Sequence, residues 1–360
     1  MNNKLENTNI NIITNQGYNT GIGRAAIETY RALKPILKNI KLYSINYFDN
    51  FTISGSIQLS NVFAKKAISV PLVNYKNIKK IKKINMFKNK NIHLMGSDYS
   101  LVTESNKNIL TIHEFYYVKN IFQSHSLMGL AGDLTYNYEE LKIKKYIKNA
   151  NGIICPSNYS ANQISNKLKV IPKVVPFSID KSVYRPRNKN SIREMLNLPK
   201  NKKFLINVSG SGINKNLKTL EKLADILPDD YILLKINAPL KSKKALNLGF
   251  VKYDQYPFYL SAADIYVHMS TKEGFGFPLV ESMATGLPII SNKSSTAPEI
   301  LGKYHLFTED PYDYNEYLYN INSCYESYKY YSNISIERSK IFSDENFRDK
   351  ILPLYEDVYL

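Results

Sequence analysis

The sequence predicts an α/β protein with two doubly wound, Rossmann-like domains. Short runs rich in Ile, Leu and Val alternate with helix-length amphipathic stretches, a pattern typical of parallel sheets covered by helices. The chain has 360 residues, more than one hydrophobic core usually contains. A basic, proline-containing segment rich in turn residues, VPFSIDKSVYRPRNKN, separates two series of strands, so we predict it to be the linker between the domains.

Each half contributes its own series of elements. In the first half, the predicted strands are NINIIT, IKLYSI, NIHLMG, NILTIHE and NGIICPS, with helices over Gly23–Leu37 and Tyr138–Asn149. In the second half, the predicted strands are KKFLINVSG, YILLKIN, LNLGFV, ADIYVHM and LPIIS, followed by a helical, tyrosine-rich tail from Asp310. Open α/β sheets bind ligands at the carboxyl ends of their strands, so we expect the site in a central cleft between two such domains.

The net charge and the cysteine content exclude few classes of function. The formal net charge of +17 is compatible with nucleotide phosphates, an anionic membrane face or a bias in base composition. Cys155 and Cys324 lack metal or redox spacing, which fits a reducing compartment. The N-terminus has no apolar signal-peptide core, and no apolar run approaches the roughly 20 residues that span a bilayer. We therefore expect a cytoplasmic location.

The most informative junction is STKEGFGFPLVESMATGLPIIS, which follows the strand ADIYVHM. Gly274 and Gly276 permit a tight turn, and Pro278 suits the first turn of a helix. The amides and dipole at that helix start favour a phosphate group. Glu273 lies before the turn and Glu281 one turn into the helix, so both carboxylates can accept hydrogen bonds from sugar or ribose hydroxyls in the same small volume.

The segment EGFGFPLVESMATGLPII resembles the glutamate–seven–glutamate signature of family 4 glycosyltransferases, which have the GT-B fold. The resemblance implies that Glu281 binds the ribose of the donor and that Glu273 lies beside the donor sugar. It also implies donor contacts from the intervening main chain, at Gly274, Phe275, Gly276, Phe277, Pro278 and Leu279.

The segment VSGSGINKNLKTLEKLADIL is similar to the diphosphate-binding strand and helix of the same family, which usually carry an arginine and a lysine. The similarity implies donor contacts from Ser209, Gly210, Asn214 and Lys215. Lys215 matches the lysine, but Ser211 and Asn214 occupy the places of the arginine. A missing cation weakens the stabilisation of the leaving diphosphate, so either another basic residue replaces it or the enzyme is slow.

Three further segments carry the resemblance. LGFVKYDQYPFYLSAADIYVHMS is similar to the base-contacting segment and implies donor contacts from Gly249, Phe250 and Val251. YNTGIGRAAIETYRAL is similar to the glycine loop after the first strand, which implies that Gly21 and Gly23 also contact the donor. TIHEFYYV resembles a strand-end pair that places His113 at the donor sugar, so the implied catalytic residues are His113, Glu273 and Lys215.

Two motifs fit the family less directly. CPSNYSANQI matches a Pro-Ser helix start, where Ser157 is expected to cap the helix rather than bind ligand. VPFSIDKSVYRP resembles the hinge motif that normally reads Pro-Asn-Gly-Val-Asp. Phe177 and Ser178 depart from that motif, so the usual glycine turn is not expected there.

Taken together, the resemblance implies an acceptor-side domain over residues 1–180 and a nucleotide-sugar-binding domain over residues 181–342, with residues 343–360 returning to the first domain. It implies retaining transfer of a hexosyl residue from a UDP- or GDP-linked sugar to a glycan or lipid-linked acceptor, with no cofactor and no divalent metal. The sequence agrees in lacking the Asp-x-Asp motif of the metal-dependent fold and any paired histidine spacing.

The segment YKNIKKIKKINMFKNKN has seven lysines between Lys76 and Lys90, with Ile78, Ile81 and Ile84 spaced three apart. As a helix it would be basic and amphipathic, suited to peripheral contact with the anionic inner face of a membrane. An ordinary solvated helix or loop explains the same pattern. A nucleic-acid partner is not expected, because no aromatic residues alternate with the basic ones.

Three alternatives remain open from the sequence. A sugar-nucleotide epimerase of the same fold would use a similar nucleotide site without transferring sugar to an acceptor. A non-catalytic scaffold that binds a sugar nucleotide or glycan would account for the missing arginine. A glucosyltransferase that modifies nucleic acid would account for the charge.

Overall fold

A computed structural model describes residues 3–14, 20–44, 56–58, 85–96, 107–114 and 143–360, with the backbone alone described at 56–58. The chain forms two compact units. The first comprises Met1–Ser178 and Asp344–Leu360, and the second comprises Ile179–Ser343. The first passage between units lies in the segment predicted as the linker, and both passages fall within two residues of the predicted boundaries at 180 and 342.

The first unit contains a parallel sheet whose described strands have the order β3-β2-β1-β4-β5-β6-β7. The strands are β1 (Ile10–Thr14), β2 (Ile40–Ser44), β3 (Ser56–Gln58), β4 (Ile92–Leu94), β5 (Asn108–Thr111), β6 (Gly152–Cys155) and β7 (Lys173–Val174). Before the second unit the chain forms the helices α1 (Asn3–Glu6), α2 (Gly21–Leu33) and α3 (Asn158–Leu168), with a further helical turn at residues 143–146. Every residue of β1 and β5 is buried, as expected for inner strands of a parallel sheet.

The second unit contains a parallel sheet with the strand order β10-β9-β8-β11-β12-β13. The strands are β8 (Lys203–Ser209), β9 (Tyr231–Asn237), β10 (Ala245–Gly249), β11 (Ile265–Val267), β12 (Ile289–Asn292) and β13 (Leu306–Thr308). The helices are α4 (Lys189–Met195), α5 (Leu217–Ile226), α6 (Tyr256–Ala262), α7 (Phe277–Ala284), α8 (Ala297–Leu301), α9 (Tyr314–Glu326) and α10 (Tyr328–Ser339). Each half of the chain is therefore a doubly wound α/β unit, as predicted.

The last helix, α11 (Asp344–Tyr359), follows the second unit in the chain but packs in the first. At its start, the Arg31 guanidinium of α2 donates two hydrogen bonds to the Asp344 carboxylate, both 2.6 Å long. The charges favour the pair, and this bidentate geometry is among the stronger hydrogen-bond arrangements in proteins. The predicted return of the C-terminal helix to the first domain is confirmed.

Buried hydrogen bonds between polar groups fix the C-terminal end of α11. His93 on β4 is fully buried, with its Nδ1 2.6 Å from the Tyr355 hydroxyl and its Nε2 2.7 Å from the Thr111 hydroxyl. Burial lowers the pKa of His93 to about 3, so the ring is neutral at physiological pH. The Tyr359 hydroxyl donates to the carbonyl oxygen of Ile92 at 2.6 Å. The core of the first unit is thus completed by side chains from the end of the chain.

The structure corrects the predicted bounds of α2. The helix begins at Gly21 rather than Gly23, because the Thr20 hydroxyl caps it by accepting a hydrogen bond from the Gly23 amide at 3.0 Å. It ends at Leu33 rather than Leu37, since Pro35 lacks the amide hydrogen that a continuing helix requires. The two glycines therefore lie in the first helical turn and not in a loop before it.

Other element predictions were partly right. Of the helix predicted over Tyr138–Asn149, residues 138–142 lie outside the described residues, 143–146 are helical, and Ile147–Asn149 form a 3₁₀ turn. The strand predicted as ADIYVHM is shorter, at Ile265–Val267. Strands β3, β7 and β13, which have two or three residues each, were not predicted. Within the described ranges, no helix has the length and apolar character needed to span a bilayer.

Tyr355→Phe should destabilise the first unit. Removing the hydroxyl leaves Nδ1 of the buried His93 ring without that partner, which should lower the free energy of unfolding by about 1–3 kcal/mol. Urea denaturation followed by circular dichroism measures the change. Tyr330→Phe, at an exposed position of α10, is the matched control, and an equal effect of the two substitutions would contradict the role of the His93–Tyr355 contact.

Candidate functional site

The candidate site in the second unit lies at the carboxyl end of the sheet, where strands β8 and β11 are neighbours. Strands β9 and β10 follow β8 in the chain and lie on one side of it in the sheet. The next strands, β11, β12 and β13, lie on the other side of β8. The loops that follow β8 and β11 therefore diverge from each other. Open α/β sheets bind ligands at such a reversal of strand order.

Hydrogen bonds join these two loops. The carbonyl oxygen of Asn214, in the loop after β8, accepts a hydrogen bond from the amide of Thr271 at 2.8 Å. The side-chain amide of Asn214 donates to the carbonyl oxygen of Lys272 at 2.9 Å. Asn214 was predicted to contact ligand, but its side chain binds the neighbouring loop. It holds the adjacent Lys215 against the segment that carries Glu273.

Lys215 and Glu273, both predicted as catalytic, form an ion pair. Lys215 Nζ lies 2.5 Å from Glu273 Oε1, and the two side chains are 23% and 17% exposed. The structure therefore brings together a cation and a carboxylate from separate loops, close to the surface. Because the pair is partly exposed, both groups remain accessible to a ligand.

Ser295 forms two hydrogen bonds with the main chain of Glu273. Its hydroxyl accepts a hydrogen bond from the Glu273 amide at 2.6 Å and donates one to the Glu273 carbonyl oxygen at 2.7 Å. Ser295 has a φ of 61°, a left-handed conformation that a residue with a Cβ adopts rarely. The sequence analysis missed this residue, since a lone serine in a polar loop carries no signal.

The turn after Glu273 leads into α7 as predicted. Gly276 has a φ of 86°, and a Cβ placed there would lie 3.1 Å from Leu279 Cδ1, so glycine is required at this position. Phe275 and Phe277 are buried, with ring centroids 5.0 Å apart. Gly274 precedes this pair, and Pro278 lies in the first helical turn. Since the phenyl rings and Leu279 are buried, this segment can offer a ligand only its main chain.

Glu281 is buried at 1% exposure, one turn into α7. Its Oε2 accepts a hydrogen bond from the Tyr256 hydroxyl at 2.9 Å. Burial, and then the charges of Glu273 and Glu281, raise the pKa of Tyr266 well above its usual value, so both carboxylates act on the same tyrosine. Tyr256 was not predicted as a site residue, although it lies within the predicted base-contacting segment and begins α6.

A further group of predicted donor contacts lies at the end of β10. These residues are farthest from the centre of the sheet, because β10 is its edge strand. Gly249 has a φ of 62°, which turns the chain sharply at the strand end. The Phe250 side chain that follows is 64% exposed, and Val251 is half-buried. An exposed aromatic ring beside a glycine turn can stack on a flat ligand group.

Ser209 and Gly210 mark the end of β8. The Ser209 hydroxyl donates to the side-chain oxygen of Asn207 at 2.7 Å, so it is bonded within the sheet. Gly210 is exposed, and a Cβ built on it would meet no atom within 4 Å. The open space at Gly210 leaves room for a ligand against the main chain.

The predicted residues of the first unit lie on two elements. Gly21 and Gly23 begin α2, where the Thr20 cap already uses the Gly23 amide. His113 follows β5, stacks on Phe177 with ring centroids 5.6 Å apart, and has a lowered pKa of about 3 because of burial. Phe177, one of the two departures from the hinge motif, thus supports the imidazole. His113 is neutral at physiological pH, and its Nε2 is buried without a hydrogen-bond partner among the described residues.

Three subsidiary predictions concern features other than the donor contacts. Ser157 caps α3 by accepting a hydrogen bond from the Ser160 amide at 3.1 Å, as expected. In the part of the chain that the structure describes, no three His, Cys, Asp or Glu side chains are grouped as metal ligands. Of the basic segment Lys76–Lys90, residues 76–84 lie outside the described residues.

Solved structures of known enzymes share the fold. Sucrose-phosphate synthase from Thermosynechococcus elongatus matches with a TM-score of 0.78 at 18% sequence identity, over 97% of this chain and 98% of that chain. HepE of Anabaena, solved in complex with UDP-glucose, matches with a TM-score of 0.72 at 16% identity, over 97% of this chain and 100% of that chain. The chain therefore has the fold of the GT-B glycosyltransferases, and the predicted fold class is confirmed.

A protein-family model matches most of the second unit. Residues 188–340 match the family described as glycosyl transferases group 1. This range contains Lys215, Glu273 and Glu281. The match covers most of the second unit, and it confirms at that level the family predicted from the glutamate signature.

Curated relatives agree with this assignment over part of their length. The alpha-monoglucosyldiacylglycerol synthase of Streptococcus pneumoniae is 27% identical over 172 residues, which are 42% of this chain and 39% of the relative. The phosphatidylinositol N-acetylglucosaminyltransferase gpi3 subunit of Schizosaccharomyces pombe is 25% identical over 202 residues, 51% of this chain and 43% of the relative. The matched region thus spans about two fifths of each relative.

Ser295→Gly should loosen the main chain at Glu273 without destabilising the fold. Glycine adopts the left-handed conformation readily, but it has no hydroxyl to bind the Glu273 amide. Hydrogen exchange measured by mass spectrometry should become roughly tenfold faster or more in a peptide spanning residues 271–276, because that amide loses its protection. Ser294→Gly is the adjacent control. Unchanged exchange in Ser295→Gly would contradict the hydroxyl contacts.

Proposed function

We propose that the chain is a retaining hexosyltransferase of the family 4 type, which transfers a sugar from a UDP- or GDP-linked donor to a glycan or lipid-linked acceptor. The observation that carries the proposal is the Lys215–Glu273 pair at the reversal of strand order, in a loop that leads into α7 with its buried Glu281. The family match over residues 188–340 and the glycosyltransferase activities in the names of the relatives support it.

The proposed donor site uses both charge and main chain. Lys215 and the amides at the start of α7 would bind the diphosphate, since a helix N-terminus favours anions. Glu281 would accept hydrogen bonds from the ribose hydroxyls, with Tyr256 fixing one of its oxygens. Glu273 would bind the sugar. In the first unit, His113 and the main chain at Gly21 and Gly23 are the proposed further donor contacts.

The reaction requires a group that accepts the proton of the acceptor hydroxyl. We assign this role to the departing diphosphate. The bond between the anomeric carbon and the phosphate oxygen breaks, the acceptor oxygen bonds to that carbon on the same face, and the proton moves to a diphosphate oxygen. Glu273 is an unfavourable nucleophile, because its Oε1 is only 2.5 Å from Lys215 Nζ. A covalent glycosyl adduct on Glu273 would contradict this scheme.

No divalent metal is included in the proposal, since Lys215 and main-chain amides would supply the positive potential at the diphosphate. The relatives and the family match favour transfer over the epimerase and the non-catalytic scaffold. An epimerase would convert the donor sugar without an acceptor, and a scaffold would leave the donor intact. Product analysis of a nucleotide-sugar incubation therefore separates the three.

Nucleoside diphosphates should stabilise the protein in the presence of EDTA. A ligand at 100 times its Kd adds about 2.7 kcal/mol to the free energy of unfolding, which should raise the melting temperature by several degrees. UDP, GDP and ADP are compared by thermal shift. Glu281→Gln should lose most of the shift given by the matching nucleotide, because the neutral amide binds ribose hydroxyls less strongly than a carboxylate.

Glu326→Gln, at an exposed position of α9, is the control and should shift as the unmodified protein does. If none of the three nucleotides raises the melting temperature without metal, metal-independent donor binding is wrong. If Glu281→Gln retains the full shift, the ribose site lies elsewhere.

We also propose peripheral contact with an anionic membrane through Lys76–Lys90. The support is the seven lysines with regularly spaced isoleucines, and the lipid named in each of the two relatives. The membrane would bring a lipid-linked acceptor to a cytoplasmic enzyme.

Sedimentation with vesicles tests this contact. The protein should pellet with phosphatidylglycerol-containing liposomes at moderate salt and not with phosphatidylcholine alone, because each basic residue near an anionic surface adds about 1 kcal/mol. Replacing Lys79, Lys80, Lys82 and Lys83 with glutamine should abolish pelleting. Equal pelleting of this variant, or none of the unmodified protein, would end the membrane proposal without affecting the donor site.

A further inference from the structure

The loop after β8 supplies only part of the positive charge that a diphosphate site requires. Ser211 and Asn214 stand where the resembling family has an arginine. The remaining cation of the loop, Lys215, is paired with Glu273 at 2.5 Å, so the two charges offset each other. A diphosphate with two or three negative charges would therefore meet little net positive charge from the Lys215–Glu273 pair.

A second lysine lies beneath this loop. Lys235, on β9, is fully buried at 0% exposure. Its Nζ donates hydrogen bonds to the carbonyl oxygens of Ser209 and Ile236, each at 2.8 Å. Among the described residues, no carboxylate lies within ion-pair distance of this amine. Burial lowers the pKa of Lys235 to about 8, as expected for a cation without a nearby anion.

The strand register places this amine close to the predicted phosphate loop. Lys235 pairs with Asn207 of β8, two residues before the last residue of that strand. It projects from the same face of the sheet as Leu233, which packs with Leu220 and Leu223 of α5. The amine thus lies on the side of the sheet covered by α5, under the connection that leads from β8 into that helix.

The hydrogen bond to Ser209 links Lys235 to the main chain that would face a ligand. The Ser209 carbonyl and the Gly210 amide belong to one peptide group, so a cation bound to the oxygen makes the amide hydrogen more positive. Gly210 is exposed and has open space where a side chain would be. Lys235 therefore strengthens a donor at the ligand side of the loop without reaching the surface itself.

Energetics argue against a purely structural role. Burying an ammonium group is unfavourable, and replacing a buried charge with an apolar side chain of similar volume is often neutral or stabilising. Two carbonyl acceptors compensate only part of the lost hydration. A lysine retained at such a position is expected to serve binding, where its charge offsets that of an anion.

We propose that Lys235 is the second cation of the donor site, a positioning residue that acts on the diphosphate through the Ser209–Gly210 peptide and through its uncompensated charge. This inference rests on the proposed function, because it takes the ligand of the loop to be a nucleoside diphosphate. It identifies a basic residue that takes the place of the missing arginine, from a neighbouring strand instead of the loop itself.

Lys235→Met tests the inference, since methionine fills a similar volume without charge. The affinity for the nucleoside diphosphate found by thermal shift should fall tenfold or more in calorimetric titration. The affinity for the corresponding nucleoside, which carries no phosphate, should change less than twofold. The melting temperature of the free protein should stay the same or rise, because the desolvated charge is gone.

Lys202→Met is the matched control. Lys202 precedes β8 at the opposite end of the same strands, so this substitution removes the same charge far from the loop. Lys235→Gln is the second variant, used also if Lys235→Met does not fold. Its neutral amide can still donate to a carbonyl oxygen, so a loss of diphosphate affinity there isolates the contribution of the charge.

The outcomes separate this inference from the proposed function. If the unmodified protein binds the diphosphate and both Lys235 variants bind it equally well, the inference is overturned and the proposed function stands. Equal losses for nucleoside and diphosphate would also overturn it, because they indicate a distorted site instead of a missing charge. If the unmodified protein binds no nucleoside diphosphate, the proposed function fails, and the inference fails with it.

Discussion

The ion pair between Lys215 and Glu273 is the interaction on which the candidate site depends. It joins two loops that leave neighbouring strands in different directions, and the hydrogen bonds of Asn214 hold those loops in the position that allows the pair to form. Ser295 fixes the main chain of Glu273 through two hydrogen bonds, and the ion pair itself is partly exposed. The donor-binding chemistry proposed for the second unit therefore rests on one contact between side chains and on four hydrogen bonds that involve the main chain.

Much of the fold and part of the site follow from the sequence. The alternation of strands and helices predicts two parallel sheets, and the EGFGFPLVE segment predicts a tight glycine turn, in which Gly276 adopts a left-handed conformation. Such features are local, so they leave a local signature. The support for Glu281 by Tyr256 and for Glu273 by Ser295 joins residues more than twenty positions apart, which no sequence period records.

The buried position of Lys235 could likewise not be predicted from the sequence. In YILLKIN, a lysine within an apolar strand suggests an exposed edge position, whereas β9 is an inner strand and the amine is fully buried. Only the register with β8 reveals that the amine meets the carbonyl oxygen at the end of that strand. The bounds of α2 were mispredicted for a simpler reason, since the cap at Thr20 and the break at Pro35 outweigh the apolar pattern.

The return of α11 to the first unit has a consequence for biosynthesis. Tyr355 and Tyr359 complete the core around β4, yet the ribosome makes them only after the entire second unit. During translation the second unit can fold while the first still lacks its final helix, with the apolar surface around His93 open. The nascent amino-terminal half is thus the part of the chain that most needs protection by chaperones before release.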